Sequence, residues 1–373
     1  MNFNLWTTLT AGLDALTWGN VLMMSIGALL IYLGVAKEYE PVLLIPIGAG
    51  ALIANIPLTG MTGPEGLFGI LYNAGIKTEL FPLLIFIGIG AMTDFGPLLE
   101  NPRMVLIGAA GQFGIFGTLL LALALGFDLK EASSIGIIGA VDGPTSIYVS
   151  SQLAPQLLAP IAVAAYSYMS LVPIIQPPIM RAMTTRRERL VRMPYTSRPV
   201  SKAVRVLFPL IVTLATGLFV PMATPLVGTL MFGNLLRESG VVERLVDVAS
   251  NELANITTIF LGLAIGSTMT ADSFLQVRTL IILGLGILAF ALDTAAGVAL
   301  GKLFYILTRG KFNPLIGAAG ISAFPMSARV VNRVGLEEDD GNFLLMHAMG
   351  ANTAGQIASA LAGGIVLALL AGG

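Results

Sequence analysis

The chain has 373 residues, of which 55% are hydrophobic and only 11% charged, with 20 Lys+Arg against 21 Asp+Glu. A soluble domain carries about 25% charged residues, so these figures exclude an ordinary soluble, fibrous or disordered protein and point to a polytopic membrane protein. The near-zero net charge gives no ground for nucleic-acid binding. The absence of Cys and the single histidine, His347, exclude thiol chemistry and leave little for a Ser-His-Asp triad or a His-rich metal site.

In chain order, charge-free runs predict spans near Val21–Ala36, Pro41–Pro57, Leu80–Met92, Met104–Phe127 and Leu157–Met180. No basic residue precedes the first run and no cleavage site is evident, so no signal peptide is expected. A basic stretch, Arg181–Arg205, comes next. It holds Arg181, Arg186, Arg187, Arg189, Arg192, Arg198, Lys202 and Arg205 against one acid, Glu188. Further spans are predicted near Val206–Met222, Pro225–Leu236, Leu253–Met269, Thr279–Leu300 and Phe343–Leu370. Two more apolar segments, Ala132–Ser150 and Phe312–Val331, are interrupted by Asp-Gly-Pro-Thr and Phe-Pro-Met-Ser. They read as re-entrant or broken helices, which are tolerated at membrane depth only where they face protein or a wet cavity. With the basic stretch placed in the cytoplasm, 17 of the 20 basic residues fall inside and only Lys77, Lys130 and Arg278 outside. That bias fits ten crossings with both termini outside.

The halves resemble each other. FIGIGAMTDF from Phe86 matches FLGLAIGSTM from Phe260, and NPRMVLIGAAG from Asn101 matches QVRTLIILGLG from Gln276. Ile135, Gly139, Pro144 and Ser146 pair with Ile316, Gly320, Pro325 and Ser327, while Pro46 and Asn55 pair with Pro225 and Asn234. The offset stays between 174 and 181. The expected fold is an all-α polytopic membrane protein with two inverted-topology repeats of about five crossings, each with a broken helix. The repeats are assigned to 1–190 and 206–373, joined by a basic cytoplasmic linker at 191–205. The tips Asp142–Thr145 and Ser322–Ser327 would then approach each other near the midplane, where ion-coupled transporters bind their cargo.

Asp142 is the acid inside GIIGAVDGPTS. An acid at bilayer depth marks an ion or proton path, while Asp-Gly-Pro is also a common helix cap. A carboxylate with freed backbone carbonyls suits a hard cation such as Na⁺. Asp142 is matched by Ala323 in the second half, which instead supplies Asn313, Ser322 and Ser327. The last span adds Asn352, Thr353 and Gln356. Isolated residues of this kind commonly bond helices together. Tyr148, Tyr166 and Tyr168 read as proton carriers or packed aromatics. Arg329 reads as a positive-inside anchor or a holder of an anionic substrate. Asp293 is expected near the cytoplasmic end of its span, paired with a basic residue.

IGAVDGPTSIYV, AYSYMSLVPIIQPPIM, NPLIGAAGISAFPMSARV and NFLLMHAMGANTAGQI resemble the membrane β subunit of the Na⁺-pumping biotin-dependent decarboxylases, which act on oxaloacetate, methylmalonyl-CoA, glutaconyl-CoA or malonate. The resemblance runs from about Asn20 to the end. It implies a multi-pass cell (inner) membrane protein with its substrate side cytoplasmic, which decarboxylates carboxybiotin, consumes an external proton and exports Na⁺. It implies functional roles for Asp142, Tyr168, Asn313, Gly317, Ser322, Arg329 and Asn352: catalysis at Asp142, Tyr168 and Arg329, carboxybiotin binding at Arg329 and Tyr168, and Na⁺ binding at Asp142, Asn313, Gly317, Ser322 and Asn352. No Met-Lys-Met biotinylation site is present, so biotin would arrive on a carboxyltransferase/biotin carrier subunit. A small single-span γ subunit and a homotrimer of β are the other implied partners. The chain is short beside some oxaloacetate-type members, mainly at the N-terminus, which leans toward a CoA-ester type. Composition and topology alone fit equally a secondary Na⁺/H⁺ antiporter or a Na⁺-coupled solute transporter.

Overall fold

A computed structural model describes residues 5–195 and 200–370, with side chains from residue 10 onward except that of residue 170. Among the described residues all regular secondary structure is helical. The first half contains α1 (Trp18–Ala36), α2 (Pro41–Ala54), α3 (Leu67–Ile76) and α4 (Leu80–Met92). These are followed by α5 (Met104–Ala124), α6 (Leu129–Gly136), α7 (Gly143–Leu153) and α8 (Leu158–Met183). The second half contains α9 (Lys202–Phe219), α10 (Thr224–Ser239), α11 (Glu243–Ser267), α12 (Val277–Leu307), α13 (Met326–Glu338) and α14 (Leu345–Leu370). The helices fall on the predicted spans because uninterrupted apolar runs leave backbone groups no partner in lipid except their own ladder.

Among the described residues six helices are long and apolar enough to cross a membrane, or up to eight if each bent pair is one span. Ten crossings exceed that count. The 14 residues of α2 rise only about 21 Å, short of a hydrocarbon core of about 30 Å. One bent pair is α3 with α4, at 64°. The other is α8 with the short turn before it, where Pro155–Met169 and Leu171–Met183 differ by 66°. Pro173 explains the second bend, since its ring clashes with the carbonyl four residues earlier and its nitrogen donates nothing.

Both interrupted segments are broken in the structure. Asp128 starts α6 with a capping box, its Oδ1 accepting from the Glu131 N–H at 2.8 Å. A 3₁₀ turn, Ile137–Ala140, carries the chain to a break at Val141–Asp142 before α7. In the second half a 3₁₀ stretch, Pro314–Gly320, precedes the break and α13. The helix α2 packs on α11, α4 packs on α10, and α12 crosses both 3₁₀ stretches. Glycine permits these crossings. A Cβ on Gly266 would stand 2.0 Å from the Ile47 carbonyl oxygen, and one on Gly233 would stand 2.0 Å from that of Ile87. Exposed apolar side chains such as Leu214, Leu218 and Phe219 of α9 suit a lipid face.

The basic stretch is largely engaged. Arg181 pairs with Glu337, Arg189 with Glu338 at 2.7 Å, and Arg192 with Asp339 at 2.6 Å, tying it to the acidic end of α13. Arg198 lies outside the described residues.

Candidate functional site

The first break is shaped by Val141, whose φ of +52° is an outlier for a β-branched residue, at a cost of about 1–3 kcal/mol. This turn presents Asp142, 6% exposed, as the N-cap of α7. Its Oδ1 accepts from the Thr145 N–H at 3.2 Å. Its Oδ2 accepts from the Thr145 hydroxyl at 2.8 Å and from Ser359 of α14 at 2.7 Å. The cap reading is therefore correct as local structure, but the same residue also borders a cavity of about 560 Å³ shared with Ser322, Arg329, Gln356 and Met169.

The two breaks touch. Ser322 donates its hydroxyl at 2.6 Å and its N–H at 3.2 Å to the Ala140 carbonyl. The carbonyls of the second break are met by side-chain amides. Gln112 of α5 donates to Gly320 at 3.3 Å, Asn352 to Ile321 at 2.7 Å, and Gln356 to Ser322 at 3.1 Å. A carbonyl only accepts, so each amide must turn its nitrogen toward the break. The opposite amide oxygens of Gln112, Asn352 and Gln356 are buried and, among the described residues, have no partner. Of these, the Gln356 oxygen lies on a residue that lines the cavity with Asp142 and Ser322, and an oxygen without a donor beside a carboxylate suits a hard monovalent cation. Among the described residues no cluster of three or more His, Cys, Asp or Glu could hold a metal ion.

The exposed guanidinium of Arg329 reaches the same cavity and makes no ion pair among the described residues. The structure thus brings Asp142, Ser322 and Arg329 together, with Asn352 bonded at the break beside them. It does not bring the other three there. Asn313 holds the basic stretch, its Nδ2 donating to the Arg189 and Val191 carbonyls, each at 2.9 Å, while its Oδ1 accepts from Leu315 at 3.0 Å. Gly317 is a crossing point, where a Cβ would stand 1.9 Å from the Gly297 carbonyl oxygen of α12. Tyr168 faces α12 and donates its hydroxyl to the Leu283 carbonyl. Its neighbour Tyr166 lies against Gly143, beside Asp142, with its hydroxyl buried and unpartnered among the described residues.

Gln112 and Ser359 escaped the sequence reading. Gln112 carried a usable signal as an amide inside the apolar run AAGQFGIF, whereas Ser359 carried none. Asp293 is corrected. It is at the middle of α12 rather than near its end, is fully buried, and has no basic partner among the described residues.

The family described as "Na+-transporting oxaloacetate decarboxylase beta subunit" matches residues 19–370. The chain is similar to the glutaconyl-CoA decarboxylase subunit beta of Acidaminococcus fermentans, at 53% identity over 97% of this chain and 96% of the relative. The methylmalonyl-CoA decarboxylase subunit beta of Propionigenium modestum is 51% identical over 96% and 97%, respectively. The oxaloacetate decarboxylase beta chain of Klebsiella pneumoniae is 49% identical over 95% and 96%. That last alignment runs to 417 positions, more than this whole chain of 373, so the longer relative's surplus falls within the matched span rather than mainly ahead of it. The lone acid at a helix break, the unpartnered oxygens and the matched length agree: the chain belongs to the β subunits of the Na⁺-transporting decarboxylases.

Proposed function

We propose that this chain decarboxylates carboxybiotin delivered by a carboxyltransferase/biotin carrier subunit, consuming a proton and exporting Na⁺ across the cell's inner membrane. One observation carries the reading: a carboxylate and a guanidinium without an ion pair among the described residues, Asp142 and Arg329, border one cavity with Gln356, whose amide oxygen has no partner among those residues either. Arg329 would hold the carboxylate of carboxybiotin through paired hydrogen bonds. Breaking the N–CO₂⁻ bond then releases CO₂ and leaves electrons on the ureido nitrogen, which takes up one proton. Tyr166 or Tyr168 would lie on the route of that proton. The position of Tyr166 beside Asp142 supports the former, and its family motif supports the latter.

Asp142, Ser322, Asn352 and Gln356 would hold Na⁺, the cargo. Asn313 and Gly317 would support that site by fixing the basic stretch and the crossing with α12. Each Na⁺ moved against 100 mV costs about 2.3 kcal/mol, a scale one decarboxylation can cover for an ion or two.

An inverted repeat would let the halves rock about this site. Reciprocal contacts support it: Asn55 at the end of α2 donates to the Met269 carbonyl after α11 at 2.8 Å, and Asn234 of α10 donates to the Thr93 carbonyl after α4 at 3.0 Å. The substrate side would be cytoplasmic, with a single-span γ subunit and a trimer of β completing the complex.

The test is ²²Na⁺ uptake by proteoliposomes holding the complex, supplied with carboxylated or free biotin carrier. Uptake only with the carboxylated carrier is expected. Equal uptake with either, driven by a pH gradient, would replace the pump by an antiporter.

A further inference from the structure

The acid at the middle of α12 has no part in the site described above. Asp293 is 0% exposed, in a helix long and apolar enough to cross a membrane. Its Oδ1 accepts the Gly114 N–H at the start of the second half of α5, and its Oδ2 has no partner among the described residues. Two glycines make the slot for this carboxyl group. A Cβ on Gly114 would stand 2.6 Å from the carboxyl carbon, and one on Gly139 would stand 2.7 Å from Oδ2.

The ionised groups on neighbouring elements sit at the ends of α12. Glu131 meets Arg278 at 3.1 Å and Glu188 meets Lys302 at 3.6 Å, about 22 Å and 13 Å along the helix from Asp293. From α8 the titratable side chain against α12 is Tyr168, seven residues earlier at Gly286, its hydroxyl already given to Leu283. No cation therefore balances this carboxylate among the described residues. An uncompensated charge at bilayer depth is among the least favourable arrangements a membrane protein can hold. Oδ2 stands so close to Gly139 that even a Cβ there would lie 2.7 Å away, which leaves little room for the oxygen shell a sodium ion needs. A proton needs only the one oxygen.

Gly139 belongs to the 3₁₀ turn that enters the first break. The next residue, Ala140, gives its carbonyl to Ser322, then comes the left-handed Val141, then Asp142. Asp293 therefore packs against the short segment whose far end carries the cavity's acid, while itself standing outside the cavity's lining. We propose that Asp293 is a second proton-binding site, which takes a proton at Oδ2 while the Ile137–Ala140 turn rests on α12 and exchanges it with water when that turn moves. The step forms or breaks one O–H bond and needs no other reactant. It rests on the coupled-transport reading, because something must move the turn.

The test is infrared difference spectroscopy of the full complex in proteoliposomes, with and without Na⁺, in H₂O and D₂O. A carboxylic-acid C=O band should be present in the resting protein, vanish in Asp293→Asn, and change on Na⁺ addition in the wild type. Asp293→Glu should move the band instead of removing it, and labelling the aspartates with ¹³C should shift it in the unmutated protein, so a poorly folding variant does not decide the matter. A band unaltered by Asp293→Asn or Asp293→Glu overturns the site. A band that is Asp293's yet indifferent to Na⁺, while signals of Asp142 respond, overturns the coupling alone. Silence at both acids would overturn the Na⁺ reading with it.

Discussion

Replacing Asp142 by asparagine separates its two roles. As a cap the carboxylate serves three donors: the Thr145 N–H, the Thr145 hydroxyl and the Ser359 hydroxyl. Asparagine keeps one oxygen for the Thr145 N–H and is as good an N-cap as aspartate. Its new NH₂ faces two hydroxyls, which can rotate to accept. The folding cost should therefore stay near ~1 kcal/mol. The charge is another matter. A cation about 4 Å from the lost charge gives up about 4 kcal/mol at an effective dielectric constant near 20, or roughly a thousandfold in the Na⁺ needed for half activity. Na⁺-dependent decarboxylation and ²²Na⁺ uptake by Asp142→Asn proteoliposomes measure this, beside thermal unfolding followed by intrinsic fluorescence. Expected is a transition within a few degrees of wild type, with turnover lost across the accessible Na⁺ range. A shift in half-activating Na⁺ below tenfold would refute the cation role and leave Asp142 a cap alone. Asp142→Ala should add a loss of about 0.5–2 kcal/mol in stability to the same transport defect.

The residues around Asp142 should respond in distinct ways. Arg329→Ala should weaken use of the carboxylated carrier by tenfold or more at unchanged half-activating Na⁺, and Arg329→Lys should recover only part of it, since an ammonium offers a point charge rather than a fork. Separate titrations with carrier and with Na⁺ check this. Ser322→Ala and Asn352→Ala should raise half-activating Na⁺ about tenfold, each also leaving buried groups unpaired at about 1–3 kcal/mol. Asn313→Ala should spare Na⁺ dependence and instead free the Arg189–Val191 backbone, seen as faster proteolysis of the basic stretch. The Arg192 guanidinium, bonded to both oxygens of Asp339 at 2.6 and 2.7 Å, holds that carboxyl below its ordinary value. A depressed carboxylate contributes above its unfolded pKa and loses its contribution as pH falls through the folded one. The stretch should therefore stay protected from protease through the usual carboxylate range and loosen only below it, whereas Arg192→Ala should loosen it at neutral pH.

The amino-acid order alone carries what local chemistry dictates. Apolar runs set the helices because lipid offers the backbone no other partner. Asp-Gly-Pro-Thr and Phe-Pro-Met-Ser marked both breaks because proline supplies no N–H and Asp caps the helix after it. The lone acid in the first break needed no neighbour to stand out, and the long motifs carried the family. Which side chains meet those breaks was settled by the packing of the helices. Gln112 reaches a carbonyl 208 residues away, and Ser359 reaches Asp142 across 217. Tyr166 and Tyr168 have the same chemistry, but two residues turn a helix by about 200°, so one faces the first break and the other faces α12. Asn313 reads in the sequence as a ligand, and only the packing shows that its amide also bonds backbone 122 and 124 residues behind it. Asp293 looked peripheral because charge-free runs blur helix ends. Its place at the middle of α12 comes from that helix extending to Leu307, seven residues beyond the predicted end of its span. Hydrogen-bond partners of this kind are set by how helices cross, and the crossings are set by glycines such as Gly233 and Gly266, whose contacts lie on other helices.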